Sequence, residues 1–334
     1  MSRKRKQTLR IIAVLAAILL AGGAVLLAIY RWDTQPDAPI PTDDDPQASE
    51  SLTYYQGGWY APRKVETLLL IGVDKYADDI KTNSYNNDQQ ADFLLLVVYD
   101  AESETCSALP LNRDTMTEIT ATGVNGQEAG TFTGQLALAH TYGSGRGDSA
   151  RNTVRAVSHL LYGAEIDHYI VFTMDAIAVI NDAVGGVTVT VEDDFSGVTD
   201  MLPMGQAVTL SGETAVQFVR SRGSMKDDSS NINRMHRQSV YLEGLYRKLR
   251  ACAEESDSFV TKTLLELSAY TLSDCTVNQL QSLYDKAGSC PLTILPAPEG
   301  NAVQGEAFME FYVDEAKLQQ TAVDLFFRLQ KTEK

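Results

Sequence analysis

Four arginines lie close together in one short segment, FVRSRGSMKDDSSNINRMHRQS: Arg220, Arg222, Arg234 and Arg237. The alternation in FVRSR predicts a strand that carries the first two side chains on one face. NINRMHRQSVYLEGLYRKL predicts a helix on which Arg234 and Gln238, four residues apart, share a face. Because guanidinium groups fit phosphate oxygens through paired hydrogen bonds, the cluster indicates a site for an anionic group such as a pyrophosphate. The alternative is a set of ion pairs with neighbouring acids, including Asp227 and Asp228.

Two aspartates lie where apolar runs begin and end. Asp92 starts DFLLLVVYD, and Asp114 comes shortly after TCSALPL, directly behind Arg113. Carboxylates at strand ends suit Mg²⁺, with Mn²⁺ as the alternative, because such cations prefer a few oxygen ligands together with waters and phosphates. A cap at Asp92 and a turn at Asp114 would explain the same residues without a metal. Asp74, at the end of LLLIGVD, is a third candidate of the same kind.

The remaining chemical patterns exclude several classes of protein. YGSGRGDS matches neither a dinucleotide-binding motif nor a P-loop, so it is interpreted as a loop. The histidines form no H-E-x-x-H pair, and the cysteines have no C-x-x-C spacing. Cys106 flanks a strand and is expected to be a buried thiol, whereas Cys252, Cys275 and Cys290 could form one disulfide. A net charge of -16 and a pI of about 4.7 argue against a nucleic-acid-binding protein.

The elements that must position these groups alternate between strands and helices. VETLLLIGVD, DFLLLVVYD and TCSALPL are apolar runs typical of buried strands. RNTVRAVSHLLYG and MDAIAVINDAVGG have a helical period, and HYIVF, the second of these helices and VTVTV together predict a βαβ crossover. Residues 251–285 are mostly helical in pattern, and a late strand and a closing helix follow them. Such interleaving predicts an α/β domain with helices on both faces of a sheet.

The first thirty residues predict a membrane anchor. A basic segment, residues 1–10, precedes Ile11–Tyr30, a run without charged residues that as a helix spans roughly 30 Å, the thickness of bilayer hydrocarbon. A cleaved signal peptide is the alternative, but the run is longer than the usual apolar core of such peptides. The positive-inside rule places residues 1–10 in the cytoplasm and the rest outside the cell. Residues 31–64, rich in Pro, Asp and Ser, are expected to form an extracellular linker, and residues 65–334 one domain.

Taken in order, the motifs resemble the LytR-CpsA-Psr family. After the predicted anchor come LLLIGVD, QADFLLLVVYD, LPLNRDT, QLALAHTYG, IDHYIVFTMDAIAVINDAVGGVTVTV, LSGETAVQFVRSR and NRMHRQ. The resemblance covers residues 66–249, with a weaker echo in EFYVDEAKL, so residues 250–334 are treated as a C-terminal extension. It implies a single α-β-α sandwich domain with a central mixed sheet, preceded by one transmembrane helix and lying outside the cell membrane.

The resemblance also implies an activity. Members of the family move a glycan phosphate, typically of teichoic acid or capsule, from a polyprenyl-pyrophosphate carrier to peptidoglycan. By motif position, Asp92 and Asp114 fall at the family's Mg²⁺ carboxylates and Arg113 at its Arg-Asp-Thr arginine, and these three are taken as catalytic. The pyrophosphate-binding positions are held by Arg220, Arg222, Arg234 and Gln238. A pyrophosphatase and a non-catalytic module that captures lipid-linked glycan are the alternatives.

Some basic residues that are frequent in the family are replaced here. Gln90 or Ala91 stands where an arginine often precedes the first aspartate, Tyr76 where one often follows G-x-D, and Gln135 where a lysine is frequent. Contacts to the head group are therefore expected to differ at these positions. MDAIAVINDAV is expected to line the lipid tail, with ordinary core packing as the alternative. Asp92 is the candidate general base.

Overall fold

A mixed six-stranded sheet is the central element of the protein in the computed structural model. The structure describes residues 53–75, 87–123, 126–221, 231–288, 290–306 and 308–330, all within the unit Leu52–Lys334. The predicted cytoplasmic segment, the predicted anchor Ile11–Tyr30, Tyr76 and Arg222 lie outside these residues. Within the described ranges, no helix is long and apolar enough to cross a membrane.

The described chain contains strands and helices in an interleaved order. The strands are β1 (Thr53–Tyr55), β2 (Gly58–Pro62), β3 (Val65–Val73), β4 (Ala91–Asp100), β5 (Thr105–Pro110), β6 (Met116–Thr122), β7 (Glu128–Gln135), β8 (His168–Phe172), β9 (Thr188–Thr190), β10 (Ala207–Thr209), β11 (Thr271–Ser273), β12 (Leu292–Ile294), β13 (Gly300–Gln304), β14 (Met309–Val313) and β15 (Phe327–Leu329). The α-helices are α1 (Gly147–Leu160), α2 (Met174–Ala183), α3 (Gly212–Arg220), α4 (Ile232–Glu255), α5 (Phe259–Leu267), α6 (Val277–Ala287) and α7 (Glu315–Phe326). A 3-10 helix, Leu136–Thr141, precedes α1.

The central sheet has the strand order β11-β8-β3-β4-β5-β12. Strands β3 and β8 are parallel, as are β5 and β12, while the β3–β4, β4–β5 and β8–β11 pairs are antiparallel. The three apolar runs predicted as buried strands are β3, β4 and β5, so that prediction is confirmed. The mixed character of the sheet, expected from the family resemblance, is also confirmed.

Helices cover both faces of this sheet. Alternate residues of β3, including Leu69 and Ile71, are fully buried in a core shared with Val157 of α1 and Leu318 of α7. The intervening residues of β3 face the opposite side, where Leu70 borders a cavity under α2, α4, α5 and α6. The predicted α/β architecture with helices on both faces is therefore observed.

The βαβ prediction is wrong at its second strand. Strand β8 and helix α2 are present as expected, but β9 pairs antiparallel with β10 in a separate two-stranded ribbon. Val189 is buried while its neighbours Thr188 and Thr190 are exposed. Such alternation is typical of a ribbon with one buried face, whereas an inner parallel strand is apolar on both faces.

The strand predicted for FVRSR is also wrong, because this segment ends helix α3. Ser211 caps the helix in a capping box with Thr214. Phe218 and Val219 are buried with Thr214 and Ala215 from the preceding turn. A five-residue window with alternating arginines fits a strand and the end of a helix equally well, and the capping serine upstream is the signal that separates the two.

Two further differences concern the ends of the domain and the cysteines. β1 and β2 lie in the segment expected to be linker, and Ala61 of β2 pairs with Arg328 of the C-terminal strand β15. The described residues include all four cysteines, and each is a free thiol, so the disulfide that three of them could form is absent there. Cys106 is buried as predicted, and burial raises the pKa of its thiol to about 11.

Candidate active site

The first residues of β4 and the last residues of β5 lie at the same end of the central sheet, because these strands are antiparallel neighbours. Asp92 is the second residue of β4, and Asp114 lies four residues beyond Pro110, the last residue of β5. The buried Arg113 joins them: its Nη1 contacts the Asp92 carboxylate, and its Nε lies 3.3 Å from Oδ1 of Asp114. The predicted catalytic residues Asp92, Arg113 and Asp114 are thus brought together.

Amide side chains hold this cluster in place. Nη2 of Arg113 donates to Oε1 of Gln90 at 2.6 Å. Nε2 of Gln135 donates to Oδ1 of Asp114 at 2.9 Å and to the carbonyl of Met309 at 2.7 Å. Gln90 and Gln135, at two positions where basic residues are frequent in the family, therefore hydrogen-bond through neutral side chains to Arg113 and Asp114.

A pair of asparagines extends the network. Oδ1 of Asn112 accepts from the backbone N–H of Asp114 at 3.1 Å and from Nδ2 of Asn231 at 3.2 Å. The sequence analysis did not identify either residue as part of a site. The N-R-D order does place Asn112 two residues before an aspartate, which is typical of a side chain that caps a local turn. Asn231, at the start of α4, joins the helix to the cluster only through the fold.

Arg234 and Gln238 lie one turn apart on α4 and face the cluster. Arg234 is only 6% exposed, and its Nη2 donates to the backbone carbonyl of Asp92 at 3.3 Å. Nε2 of Gln238 donates to the carbonyl of Val219 at 3.3 Å, which ties α4 to the end of α3. Their shared face, predicted from the four-residue spacing, is observed.

Arg220 is the last residue of α3 and lies at the rim of the same region. Its guanidinium donates two hydrogen bonds to the Asp74 carboxylate, from Nε to Oδ1 at 2.5 Å and from Nη2 to Oδ2 at 2.9 Å. The Arg220 side chain is 48% exposed, so solvent screens this pair. Asp74, predicted as a third carboxylate at a strand end, therefore lies next to an arginine in the described state.

Arg237 belongs to a different environment, although it is only three residues from Arg234. It is 4% exposed, donates to the carbonyl of Phe218 at 3.0 Å, and contacts the Asp193 carboxylate and the carbonyl of Ser221. Its guanidinium also lies 5.5 Å from the centre of the Phe195 ring. The ion-pair alternative considered for the arginine cluster is therefore correct for this residue.

A cavity of about 400 Å³ opens beside the charged residues. Its apolar walls come from the sheet, including Phe93 and Phe172, and from helices α2, α4, α5 and α6. Four charged residues described above line one end of the cavity: Asp74, Asp92, Arg220 and Arg234. Gln238 lies beside them. The cavity thus combines a long apolar interior with one charged end, here called the charged mouth.

Helix α2 both lines this cavity and packs in a core, since Met174 and Ile177 belong to a buried hydrophobic cluster. Met174, Ala176, Ile177 and Ile180 all border the cavity. Tyr241 of α4 lies on the wall as well, and its burial raises the pKa of the phenol well above the usual range. The tyrosine is therefore uncharged at physiological pH and does not add an anion to the apolar interior.

A buried histidine supports the loop that leads into β4. His140 is fully buried, its Nδ1 lies 2.9 Å from the carbonyl of Gln89, and burial lowers the pKa of its imidazole to about 4. At neutral pH the ring carries no charge, so Nδ1 donates to this carbonyl. It thereby fixes the residue next to Gln90, which in turn contacts Arg113.

The mixed sheet, the helices on both faces and the cavity define the class of this protein, an α/β domain with an apolar cavity. The model of the LytR_cpsA_psr family matches residues 41–323 of this chain. The chain therefore belongs to the LytR-CpsA-Psr family, which confirms the resemblance seen in the motifs.

Particular relatives are similar to this chain over most of its length. Polyisoprenyl-teichoic acid--peptidoglycan teichoic acid transferase TagU of Bacillus cereus is 24% identical over 249 residues, covering 73% of this chain and 72% of the relative. TagU of Oceanobacillus iheyensis is 25% identical over 284 residues, covering 81% and 77%. A structure of TagT bound to LI-WTA has a TM-score of 0.59 and 20% identity, covering 78% of this chain and 89% of that one. This likeness shows a shared fold.

Proposed function

We propose that this protein is a glycopolymer transferase that moves a glycan phosphate from a polyprenyl-pyrophosphate carrier to peptidoglycan. The observation that carries the proposal is the cavity, apolar inside and charged at its mouth, because a lipid pyrophosphate has the same division between tail and head. The TagU relatives, named as teichoic acid transferases, and the neighbour TagT bound to LI-WTA support a glycopolymer of the teichoic acid type. A capsule glycan is the other class considered.

The lipid tail is proposed to lie in the apolar part of the cavity. Transfer of such a chain from water is favourable by roughly 25 cal/mol for each Å² of apolar surface buried. The aromatic pair Phe93 and Phe172, with ring centroids 5.6 Å apart, and Ile177 of α2 supply such surface. Because this interaction is non-directional, the tail gives affinity and the charged mouth must set the position of the reacting phosphates.

The pyrophosphate is proposed to bind Arg234, Arg220, Gln238 and, from the segment outside the described residues, Arg222. Arg234 is buried beside the mouth, where a charge-assisted hydrogen bond is stronger than at the surface. Arg220 already holds a carboxylate in two contacts, and a phosphate offers the same pair of oxygens. The Asp74 carboxylate is thus a placeholder that an incoming phosphate would replace.

Asp92 and Asp114 are the proposed ligands of Mg²⁺, with Mn²⁺ as the alternative. Their chemistry fits such an ion, because both offer carboxylate oxygens and Asp92 borders the cavity. When bound, the ion would neutralise charge on the phosphates. Asn112 and Gln135 would keep Asp114 turned towards that place.

In the proposed reaction, a sugar hydroxyl of peptidoglycan attacks the phosphorus next to the glycan. A new phosphoester bond forms, the anhydride bond breaks, and polyprenyl phosphate leaves. Arg113 and Arg234 would stabilise the charge that collects on the leaving phosphate. Asp92 is the proposed acceptor of the hydroxyl proton, because its carboxylate borders the charged mouth.

The proposed location follows from the same donor. A polyprenyl carrier lies in the membrane, and the uncharged run Ile11–Tyr30 is the proposed single-pass anchor, with residues 1–10 in the cytoplasm and the domain outside the cell. The peptidoglycan acceptor is found on the same side as the domain. Protease added outside intact spheroplasts should digest the domain, whereas complete protection would reverse this orientation.

A product assay tests the reaction. The full chain is incubated with lipid-linked teichoic acid labelled in the glycan and with peptidoglycan, in Mg²⁺ or in EDTA. Label in the peptidoglycan, together with released polyprenyl phosphate and dependence on the metal, is the expected result. Free glycan phosphate would instead identify a pyrophosphatase, and unchanged lipid that stays bound would identify a capture module.

A further inference from the structure

A cluster of three potential metal ligands lies away from the charged mouth. His168 is the first residue of β8, and Asp274 and Cys275 follow β11 directly. One ligand atom from each, an imidazole nitrogen, a carboxylate oxygen and the thiol sulfur, lie within 4.8 Å of one another. Among the residues that the structure describes, this is the one group of three such side chains found so close together.

Strand pairing brings the histidine and the cysteine together. Strands β8 and β11 are antiparallel, with Ile170 opposite Ser273. Extending this register two residues beyond the end of β11 brings Cys275 level with His168. The ligands come from segments about a hundred residues apart, so no local spacing in the sequence could reveal them.

Hydrogen bonds orient the three side chains. Oδ1 of Asp274 accepts from the backbone N–H of Tyr169 at 3.0 Å, while Oδ2 lies 3.5 Å from Nδ1 of His168. Ser273 Oγ donates to the carbonyl of Tyr169 at 2.7 Å and accepts from the N–H of Cys275 at 3.0 Å. The turn that carries Asp274 and Cys275 is therefore fixed against β8 by groups that are not themselves ligands, as is usual around metal sites.

The site is separate from the proposed reaction centre. His168 is level with Leu68 of β3, whereas Phe172 is level with Gly72, two residues before Asp74 at the mouth. Four strand residues at about 3.3 Å each separate these levels by about 13 Å. Ser273 and Cys275 nevertheless line the cavity, so the cluster borders its wall.

We propose that His168, Asp274 and Cys275 bind a zinc ion that joins β11 to β8 beside the wall of the cavity. Nitrogen, oxygen and sulfur ligands together match the preference of Zn²⁺, and three protein ligands leave the fourth tetrahedral position to water. The His168 and Asp274 side chains are each about one-third exposed, so an ion can reach them from solvent. The inference does not depend on the proposed transferase activity.

Binding requires the thiol to lose its proton. An ordinary cysteine thiol, with a pKa of about 8.5, is mostly protonated at neutral pH. On coordination, the S–H bond breaks, a Zn–S bond forms and the proton passes to solvent, because a bound divalent cation deprotonates a thiol ligand. The reaction is a ligand exchange and needs no oxidant or reductant.

The test uses the full chain, without an affinity tag, stripped of metal and kept in a phosphine reductant. Cobalt is titrated first, because a thiolate ligand gives a sulfur-to-cobalt charge-transfer band in the near ultraviolet and carboxylate sites do not. Zinc is then added, and displacement of the band gives its affinity. We expect a saturable band with one equivalent of cobalt, loss of the band in Cys275→Ser, and at least tenfold weaker binding in His168→Gln.

The matched control is Cys252→Ser, which removes a thiol of similar burial that is outside the cluster. It should leave the band unchanged. Circular dichroism checks that each variant is folded, and zinc should raise the melting temperature of wild type and Cys252→Ser but not of Cys275→Ser. A wild-type protein without the band, or a band that survives in Cys275→Ser and disappears in Cys252→Ser, would overturn the proposal.

Discussion

Helix α4 carries two buried arginines, Arg234 and Arg237, whose surroundings differ completely. Arg237 lies between α3 and the loop that follows β9. Its guanidinium contacts a carboxylate, two backbone carbonyls and an aromatic ring. Arg234 borders the cavity at the charged mouth and donates to the carbonyl of Asp92. The positive charge of Arg237 holds α3, α4 and the loop after β9 together, whereas that of Arg234 lies at the wall of the cavity.

One cluster of arginines in a sequence can therefore contain both structural and ligand-binding residues. Both residues are almost inaccessible, so burial does not separate a structural arginine from one that can bind a ligand. The adjoining cavity does separate them, because Arg234 lines it and Arg237 does not. Removing either side chain should therefore affect different properties of the protein, stability in one region and ligand binding in the other.

The largest effect is expected for Arg237→Ala. The change leaves the Asp193 carboxylate and the carbonyls of Phe218 and Ser221 without their donor, and breaking such a buried pair costs about 3 kcal/mol. For a domain of this size, the melting temperature should fall by roughly 6–12 °C. Thermal unfolding measures it, and a melting temperature within about 2 °C of wild type would show that Arg237 is not structural.

The second effect concerns Asp92→Asn. The substitution keeps the size of the side chain but removes a negative charge, so transferase activity should fall about 100-fold or more, since even indirect contacts to a metal are worth about 10–100-fold. Arg113 keeps its contacts with Asp114 and Gln90, so the fold should persist. Activity is measured as a function of Mg²⁺ concentration, with Asp114→Asn expected to behave alike. Wild-type metal dependence in both variants would exclude them as ligands.

The third effect, for Arg234→Ala, addresses the other half of the comparison. A charge-assisted hydrogen bond contributes about 1.5–3 kcal/mol, so affinity for a polyprenyl pyrophosphate should fall about tenfold or more, with little loss of stability. Arg250→Ala on the same helix is the control, because Arg250 pairs with Glu254 on the surface and does not line the cavity. Unchanged affinity in Arg234→Ala, with lowered stability, would mean that both arginines are structural.

The smallest effect is expected for Gln135→Leu. The variant loses the hydrogen bonds from Nε2 to Asp114 and to the carbonyl of Met309 but keeps most of the side-chain volume. Because Gln135 positions Asp114 and does not itself line the cavity, activity should fall about fivefold, the equivalent of about 1 kcal/mol. Gln135→Glu tests the charge: a second carboxylate beside Asp114 should alter the metal dependence. If neither variant differs from wild type, Gln135 does not position Asp114.

The sequence predicts the inner strands well because they record burial on both faces. β3, β4 and β5 are continuous apolar runs, as expected for strands that are covered on both faces. VTVTV does contain a strand, but its predicted place in a parallel crossover is wrong, and FVRSR is not a strand. The first alternates because only one face of a ribbon is buried, and the second is too short to distinguish a strand from a helix end without its capping serine.

The site was predictable where its residues stand at the ends of recognisable elements, as Asp92 and Asp114 do. Asn231 and the contact of Gln135 with Met309 were not, because their partners are 119 and 174 residues away in the chain. The separation of Arg234 from Arg237 was equally hidden. Helical spacing places the two side chains on neighbouring faces of α4, but only the packing of α3 against it decides which face meets the cavity.

The measurement that tests the central claim most directly is the lipid content of the purified protein. The full chain and its Arg234→Ala and Arg237→Ala variants are isolated from cells, and their organic extracts are analysed by mass spectrometry. We predict that polyprenyl phosphates co-purify with wild type and with folded Arg237→Ala but are strongly depleted in Arg234→Ala. Equal lipid content in all three proteins, or the absence of polyprenyl phosphates from wild type, would contradict the assignment of the charged mouth to a lipid pyrophosphate.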